Sequence, residues 1–433
     1  MPHTLPPKHL ELKAALHEER HKMQEVQVPI VTVSATYRKE LAKQYQTLVH
    51  STQDVVYSRA HYSMAEAIRQ QALLEKKTAH VVDPTNFVSD ADWQKIEFTE
   101  TIGHVMARNK LLKWVKDKID RVVRNKLPIS QAITEPLLYL TEKVHRPIIS
   151  LHYEAGRILA HHHKKLLQVV TDPHVRPQYV YFANHNNVSY AVFNQSTQTH
   201  FLAMAQELGI SIAANRVIIT GPPIDPRITA IGRNSTVRSF SEGGPINLAV
   251  TTGGLGTNLS EIKQVLDQLA PLLNPPEKIR LFLHAGTHRD FRNFFEDFAA
   301  QHNIRIGNLD DTTARIRVLH EDSIIDANEN LIKYMFPWAH GVITKPSGDM
   351  AYDAAAAGCF LLFLHPWGEW EDNIQKIFIE NGVGFDFNVD QAHQHFTTLL
   401  SKGSLIHAMK SAQNLPDLYR HGSQNILTAA QEI

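Results

Sequence analysis

One segment, at residues 341–366, constrains the fold more than any other part of this 433-residue chain. It reads GVITKPSGDMAYDAAAAGCFLLFLHP, so a short apolar run is followed by a turn, an alanine-rich stretch and a second apolar run. Gly358 ends the alanine-rich stretch, as glycine commonly does at the end of a helix. The order strand, turn, helix, strand predicts an α/β fold with a parallel sheet.

The turn of this unit has the composition of an anion site. Lys345 precedes Ser347 and Gly348, and the N–H groups of the predicted helix start point back at the turn. A helix start carries a partial positive charge and suits a phosphate, and the lysine adds a full charge. Asp349 and Asp353 are four residues apart, so they share a helix face that can meet ribose hydroxyls. The alternative is an ordinary strand–turn–helix unit that binds nothing.

A second turn of small residues follows the apolar strand in NLAVTTGGLGTN, at residues 247–258. It contains Gly253, Gly254, Gly256 and Thr257. Glycines at these positions allow the backbone to approach a pyrophosphate closely, which predicts a second part of the same ligand site.

A third strand end lies in RLFLHAGTHR, at residues 280–289, where the apolar run stops at Ala285 and Gly286. In open parallel sheets, ligands bind beyond the carboxyl ends of the strands. We therefore expect the three turns to converge on one site.

Composition excludes several classes of protein. The chain has 44 basic and 44 acidic residues, so no overall field attracts nucleic acid. The single cysteine, Cys359, excludes an internal disulfide and a cysteine zinc cluster. The N-terminus has no apolar signal region and no apolar run reaches ~18 residues, so we expect a cytoplasmic protein without a membrane span.

The rest of the chain alternates strand and helix patterns. A strand at 54–58, a turn at 59–62 and a helix at 63–75 are predicted, with Ser63 and Glu66 as a capping box. Other strands are predicted at residues 28–33, 78–82, 167–170, 179–182 and 190–193.

A polar, glycine-bearing stretch at residues 231–244 predicts the boundary between two domains. The N-terminal domain is expected at 1–235, with a helical, basic amphipathic insertion at about 98–165. The C-terminal domain is expected at 236–433 and contains all three glycine-bearing or lysine-bearing turns.

From about residue 54 to its end, the chain resembles GT-B glycosyltransferases. The group it resembles contains monogalactosyldiacylglycerol synthases, processive diacylglycerol glucosyltransferases and the peptidoglycan lipid-intermediate N-acetylglucosaminyltransferase. Six motifs in order carry the resemblance: SRAHYSMAEAI at 58–68, Thr171-Asp172, GPPI at 221–224, GGLGT at 253–257, TKPSGDMAYD at 344–353, and His365-Pro366 with Asn373, Gln375 and Asn381-Gly382.

The resemblance implies two Rossmann-like domains whose parallel sheets face a central cleft. It implies that the C-terminal domain binds a nucleotide sugar, usually a UDP-sugar, and that the N-terminal domain binds the acceptor. The donor-binding residues it implies are Gly253, Gly254, Gly256 and Thr257 at the diphosphate, Ala285 and Gly286 near the base, Lys345, Ser347 and Gly348 at the phosphates, Asp353 at the ribose, and Asn373 and Gln375 at the sugar. Simple polarity of a helix surface is the alternative for the last pair.

The activity implied is a hexosyltransferase that inverts the sugar without a metal or another cofactor, the nucleotide sugar being a co-substrate. His61 is the first candidate for the base, because an imidazole titrates near neutral pH. Asp172 is the second, either as base or as the group that orients His61. The alternatives are a helix-capping or packing role for His61 and an Asp–Pro turn for Asp172.

The acceptor is expected to carry a hydroxyl, with lipids among the candidates. Residues 108–126 hold eight basic and two acidic residues, with apolar residues at helical spacing. Such a helix can lie in an anionic membrane interface through Lys113, Trp114 and Lys116, or can pack its apolar stripe on the domain. Arg59 is expected on the acceptor side.

Some positions depart from the family pattern. Ser58, Arg59 and Ala60 stand where relatives have glycines before the histidine, and Ser347 and Asp349 replace a glycine and a neutral residue in the second donor motif. Two other functions therefore stay open. One is a non-hydrolysing sugar-nucleotide 2-epimerase, which depends on several carboxylates, and the other is a catalytically silent protein that binds a nucleotide or a partner.

Overall fold

A computed structural model describes residues 12–45, 56, 58–89, 128–233, 244–253, 256 and 258–433. The chain divides into two compact units. Unit 1 comprises Met1–Pro223 and His421–Ile433, and unit 2 comprises Ile224–Arg420. No helix in the described ranges has the length and apolar character needed to cross a membrane.

Unit 1 contains a six-stranded parallel sheet in the order β2-β1-β3-β4-β5-β6. Its strands are short apolar runs, as expected where helices cover both faces of a parallel sheet. They are β1 (Val28–Val31), β2 (Ala79–Val82), β3 (Ile148–Ser150), β4 (Leu166–Val169), β5 (Val188–Val192) and β6 (Val217–Ile219).

Unit 1 also contains helices, and most of them contribute apolar side chains to one core with these strands. They are α1 (Lys13–Glu25), α2 (Arg38–Gln44), α3 (Arg59–Leu74), α4 (Pro128–Thr141), α5 (Tyr153–His161), α6 (Pro177–Val180), α7 (Gln195–Glu207) and the final helix (Gly422–Glu432), with short 3-10 turns at Pro84–Phe87 and Ala214–Arg216.

Unit 2 contains a seven-stranded parallel sheet in the order β13-β12-β11-β7-β8-β10-β9. Strand β7 therefore lies between β11 and β8. The strands are β7 (Ile246–Thr251), β8 (Ile279–Gly286), β9 (Ile306–Gly307), β10 (Ile316–His320), β11 (Gly341–Thr344), β12 (Phe360–Phe363) and β13 (Gly384–Asp386).

The helices of unit 2 surround this sheet and a second core. They are α8 (Pro226–Arg233), α9 (Leu259–Leu269), α10 (Arg289–Gln301), α11 (Ile324–Asn330), α12 (Met350–Ala356), α13 (Glu369–Glu380), α14 (Ala392–Ser401) and α15 (Ser404–Gln413). Short turns of other helix types lie at Ala270–Leu273, Leu331–Met335, Val389–Gln391 and Asp417–Tyr419. The chain-terminal helix of unit 1, Gly422–Glu432, is α16.

The two parallel sheets confirm the predicted α/β class, but the units divide the chain differently from the predicted domains at 1–235 and 236–433. The change falls between Pro223 and Ile224. Helix α8 belongs to unit 2, where Gly232 packs so closely on α12 that a Cβ there would lie 2.0 Å from the Ala356 carbonyl oxygen. Composition pointed instead to residues 231–244, which begin within the last turn of α8.

The described part of the helical insertion predicted at about 98–165 contains helices α4 and α5 and, between them, a short strand. Strand β3 lies within that range and pairs with both β1 and β4, so this part belongs to the sheet. Residues 90–127 lie outside the described residues.

Two local predictions in unit 1 are wrong. Helix α3 begins at Arg59, capped by Ser58, so the predicted turn at 59–62 is the first turn of the helix and Ser63 does not cap it. The predicted strand at 179–182 is occupied by α6 and a turn, because Pro177 is the first residue of a short helix. Of the predicted strand at 54–58, only Val56 and Ser58 are described, and Val56 forms an antiparallel bridge with Ala35.

The last helix, α16, is held in unit 1 by a close backbone approach. A Cβ on Gly422 would lie 1.9 Å from the Pro222 carbonyl oxygen, and Asn425 Nδ2 donates to the Thr220 carbonyl oxygen at 2.8 Å. Glycine at 422 therefore allows the helix to reach this position without displacing the Pro222 carbonyl group.

We predict that Gly422→Ala lowers the free energy of unfolding by about 1–3 kcal/mol, because a backbone oxygen cannot move aside as a side chain can. Gln424→Ala is the matched control, since Gln424 is exposed on the same helix and its loss should change stability by no more than about 0.5 kcal/mol. Urea unfolding of both variants measures the difference, and equal stabilities would contradict the close packing.

Candidate functional site

Three strand ends of unit 2 meet at one edge of the sheet. Strand β7 pairs with β11 on one side and with β8 on the other, and all three run parallel. The last residues of β7 and β11 are joined by a buried hydrogen bond of 2.8 Å from Thr251 Oγ1 to Thr344 Oγ1. The turns that follow these strands are therefore neighbours.

The glycine turn after β7 packs against the lysine turn after β11. A Cβ on Gly253 would lie 3.4 Å from Lys345 Cδ, which is ordinary contact distance. Gly256 closes the turn with a positive φ of 58° and donates its N–H to the Gly253 carbonyl oxygen at 2.8 Å. Two other predicted donor residues, Gly254 and Thr257, lie outside the described residues.

The third turn, after β8, is fixed by a buried histidine. The ring nitrogen Nδ1 of His284 accepts a hydrogen bond from the Gly286 N–H at 3.2 Å. Gly286 has a positive φ of 59°, and Ala285 is fully buried. The sequence predicted that the strand ends at these residues, whereas it did not predict the role of His284.

Lys345 is buried and ion-paired, a feature that the sequence did not reveal. Its Nζ lies 3.0 Å from Glu371 Oε2, and the two side chains are 6% and 11% exposed. Glu371 also accepts a hydrogen bond from the Trp367 N–H. Burial raises the pKa of the Glu371 carboxyl, and the charge of Lys345 partly offsets that rise. The positive charge predicted to face a phosphate is therefore balanced by a carboxylate of α13.

The other residues of the lysine turn lie where the sequence predicted. Ser347 and Gly348 are partly exposed at the turn, and the Ser347 N–H donates to the Lys345 carbonyl oxygen at 2.7 Å. Asp349 immediately precedes α12 and Asp353 lies within it, and both are buried. The Asp353 N–H donates to the Asp349 carbonyl oxygen at 2.9 Å, so the two residues occupy successive turns of one helix face.

The two residues assigned to the sugar differ in their placement. Asn373 is exposed on α13. Gln375 is partly buried, and its Nε2 donates to Asp386 Oδ1 at 3.2 Å, at the end of β13. That contact places the Gln375 amide at the edge strand of the sheet rather than at the three central turns.

In unit 1, His61 lies in the first turn of α3. Ser58 caps this helix by accepting a hydrogen bond from the His61 N–H at 3.3 Å. The ring then contacts the ends of two strands, because Nδ1 lies 3.2 Å from the carbonyl oxygen of Val33, just beyond β1, and Nε2 lies 3.1 Å from Thr171 Oγ1, just beyond β4. The sequence predicted a turn at His61, where the structure has the first turn of α3, and it did not predict the partner Thr171.

Asp172, the second catalytic candidate, is engaged in a local turn. Its Oδ1 accepts from the His174 N–H at 2.9 Å, and its Oδ2 lies 3.7 Å from Arg176 Nη2. Burial raises the pKa of the Asp172 carboxyl, while Arg176 acts in the opposite direction. The hydroxyl hydrogen-bonded to the His61 ring belongs to the preceding residue, Thr171.

His152 packs against the ring of His61. Their ring centroids are 5.3 Å apart in an edge-on arrangement, and His152 stacks on Tyr153 at 4.5 Å. His152 caps α5, since its Nδ1 accepts from the Glu154 N–H at 3.2 Å. Burial, with a further contribution from His61, lowers the pKa of His152 well below its usual value. His152 is therefore neutral near pH 7.

Of the residues predicted on the acceptor side, the structure describes only Arg59. Arg59 is the first residue of α3 and is partly exposed. Lys113, Trp114 and Lys116 lie outside the described residues. Within the described ranges, no group of three histidine, cysteine, aspartate or glutamate side chains is placed to share a metal ion.

Several solved structures share this fold and align with nearly the whole chain. No family model matches the sequence, and no curated protein matches it. S. aureus MnaA, solved with UDP, is 12% identical, with 92% of this chain and 94% of that one covered and a TM-score of 0.53. UDP-GlcNAc 2-epimerase from Neisseria meningitidis, bound to UDP-GlcNAc, is 11% identical over 94% of this chain and 100% of that one, with a TM-score of 0.52.

A third similar structure is α,α-trehalose 6-phosphate synthase from Burkholderia multivorans. It is 12% identical, 94% of this chain and 98% of that one are covered, and the TM-score is 0.53. These likenesses agree with the two parallel sheets and confirm a GT-B α/β fold. At such low identity they concern the fold and carry no residue roles to this chain.

The neutral state of His152 gives a pH-dependent stability. A histidine whose pKa is lower in the native state binds fewer protons than in the unfolded chain, so stability falls as the pH drops below the unfolded pKa of ~6.5. His152→Asn keeps an oxygen that can cap α5 but does not titrate. We predict that from about pH 7 to pH 5 the wild type loses more stability than this variant, by up to ~1.4 kcal/mol per pH unit. Urea unfolding at both pH values measures this, and equal losses would contradict it.

Proposed function

We propose that the protein is a glycosyltransferase that moves a sugar from a nucleotide sugar, most simply a UDP-sugar, to a hydroxyl acceptor. The observation that carries the proposal is the meeting of three turns in unit 2, at Gly253, at Gly286 and at the buried Lys345. Small residues allow the backbone to contact a diphosphate, and the lysine supplies its counter-charge. The presence of UDP and UDP-GlcNAc in two structures of the same fold supports this choice of donor.

In the proposed reaction, unit 2 binds the donor and unit 1 supplies the base. The acceptor O–H bond breaks as His61 takes the proton, and the acceptor oxygen bonds to the anomeric carbon. The bond from that carbon to the diphosphate oxygen breaks at the same time, so the sugar is inverted and the nucleoside diphosphate leaves. Backbone N–H groups and Lys345 stabilise the leaving charge, and the mechanism as proposed needs no metal or other cofactor.

The Lys345–Glu371 pair bears directly on donor affinity. A diphosphate near Lys345 must share the lysine with a carboxylate 3.0 Å away. Because like charges repel, Glu371 weakens donor binding. It also keeps the buried lysine paired in the absence of donor, which avoids the cost of an isolated buried charge.

Two substitutions should therefore shift UDP affinity in opposite directions. We predict that Lys345→Met weakens UDP binding by roughly 10- to 100-fold, the loss of one charged hydrogen bond. Glu371→Gln should tighten binding by roughly fivefold, about 1 kcal/mol of removed repulsion. Glu369→Gln is the control, because Glu369 is exposed near the start of the same helix. Calorimetric titration measures all three, and a Glu371→Gln variant that binds UDP more weakly than wild type would contradict the account.

The role of His61 can be tested separately from donor binding. We predict that His61→Gln leaves UDP affinity unchanged and lowers the transfer rate by about 10²–10⁴-fold, the usual contribution of a general base. His200→Gln, at an exposed histidine of unit 1, should leave both unchanged. The measurement is sugar transfer from a radiolabelled UDP-sugar to a panel of hydroxyl acceptors. Full transfer by the His61 variant would exclude His61 as the base.

A 2-epimerase is the second candidate, because one of the similar structures, from Neisseria meningitidis, is a UDP-GlcNAc 2-epimerase. Against it, the strand-end carboxylates of unit 1 are engaged. Asp83, after β2, accepts hydrogen bonds from the N–H and hydroxyl groups of Ser34 and Thr85, and Asp172 is engaged in its own turn. Epimerisation of UDP-N-acetylglucosamine without acceptor, followed by NMR, would favour this candidate. UDP binding without any turnover would favour a silent protein.

The acceptor class and location complete the proposal. The basic amphipathic pattern at residues 108–126 supports a lipid acceptor and contact with an anionic membrane. We place the protein in the cytoplasm, with this segment as its membrane contact. These assignments depend on the sequence pattern, since the segment lies outside the described residues.

A further inference from the structure

Both ring nitrogens of His61 are hydrogen-bonded to groups at strand ends of unit 1. On one side, Nδ1 lies 3.2 Å from the Val33 carbonyl oxygen. On the other, Nε2 lies 3.1 Å from Thr171 Oγ1, which in turn lies 3.0 Å from the Tyr179 hydroxyl. Thr171 and Tyr179 are both buried, at 6% and 2% exposure.

The chemistry of these groups gives the chain of hydrogen bonds a direction. A carbonyl oxygen only accepts, so Nδ1 must carry the proton that it shares with Val33. In a neutral imidazole Nε2 then has the lone pair, and it accepts from the Thr171 hydroxyl. The Thr171 oxygen, having donated its proton, is free to accept the proton of the Tyr179 hydroxyl.

Tyr179 is suited to remain the donor at the end of this chain. Burial, together with the charge of Asp172, raises the pKa of Tyr179 to about 12. Its hydroxyl is therefore protonated throughout the neutral range. The ring of Tyr179 is also packed edge-on against Tyr153, at 5.6 Å between centroids, which fixes its position.

We propose that Thr171 and Tyr179 are positioning residues that hold His61 in the tautomer with its proton on Nδ1 and its lone pair on Nε2. This inference deepens the proposed function, because Nε2 is then the nitrogen that can take a proton, once an acceptor hydroxyl replaces the Thr171 hydroxyl at its lone pair. In the opposite tautomer, Nε2 would carry a proton and the Val33 carbonyl would face a lone pair.

The direct test is the ¹⁵N and ¹H spectrum of His61 in protein labelled at histidine, with its signals identified by their loss in His61→Gln. We expect the pattern of a neutral ring protonated at Nδ1. In Thr171→Val, which keeps the shape but removes the hydroxyl, the Nε2 resonance should shift toward that of a free lone pair. Thr171→Ser should restore it. A ring protonated at Nε2 in the wild type, or an unchanged Nε2 resonance in Thr171→Val, would overturn the inference.

The kcat of sugar transfer provides a second measurement, which should not change if Thr171 had only a structural role. Thr171→Val should lower kcat by roughly five- to tenfold, the loss of one hydrogen bond, with the KM for donor unchanged and with recovery in Thr171→Ser. An equal loss in both variants would contradict the role of the hydroxyl. The spectra need no substrate, so they determine the tautomer of His61 whether or not the protein transfers a sugar. Failure to transfer any sugar would refute the proposed function alone.

Discussion

The parallel pairing of β7 with β11 and β8 is the constraint on which the rest of the candidate site depends. Parallel strands end at the same edge of a sheet, so this register brings three turns together that are far apart in the sequence. The Thr251–Thr344 hydrogen bond joins two of those ends at 2.8 Å, and the side chain of Lys345 then lies against Gly253. A slip of one residue in β11 would turn this pair of threonines to opposite faces and separate the lysine from the glycine turn.

In each unit, the polar side chain proposed to act in the reaction is held by a partner that can pair or hydrogen-bond with it. In unit 2, Glu371 balances Lys345, so the lysine can be buried where an isolated ammonium group would be costly. In unit 1, the ring of His61 lies between the Val33 carbonyl oxygen and the Thr171 hydroxyl, each within hydrogen-bond distance. Lys345 and His61 are therefore ordered by contacts within their own units, which is the preorganisation that the proposed transfer requires.

Sequence reasoning succeeded where the signal was local. Apolar runs ended by glycine or polar residues predicted β7, β8, β11 and β12, and therefore the positions of Gly253, Gly286 and Lys345. It failed where tertiary contact decides. Glu371 reads as one of several acids at the start of a helix, and nothing local indicates that it reaches Lys345. The sequence indicates the charged Asp172 rather than its neighbour Thr171, because the hydroxyl of Thr171 is important only through its contact with the His61 ring.

We propose above that unit 2 binds a nucleotide at these three turns. Hydrogen–deuterium exchange of the whole chain, with and without saturating UDP and in the presence of a chelator, tests it most directly. We expect slower exchange in peptides that cover residues 251–258, 284–288 and 344–353, and unchanged exchange in peptides around Thr171. Protection confined to unit 1, or no protection at any of the three turns, would contradict it.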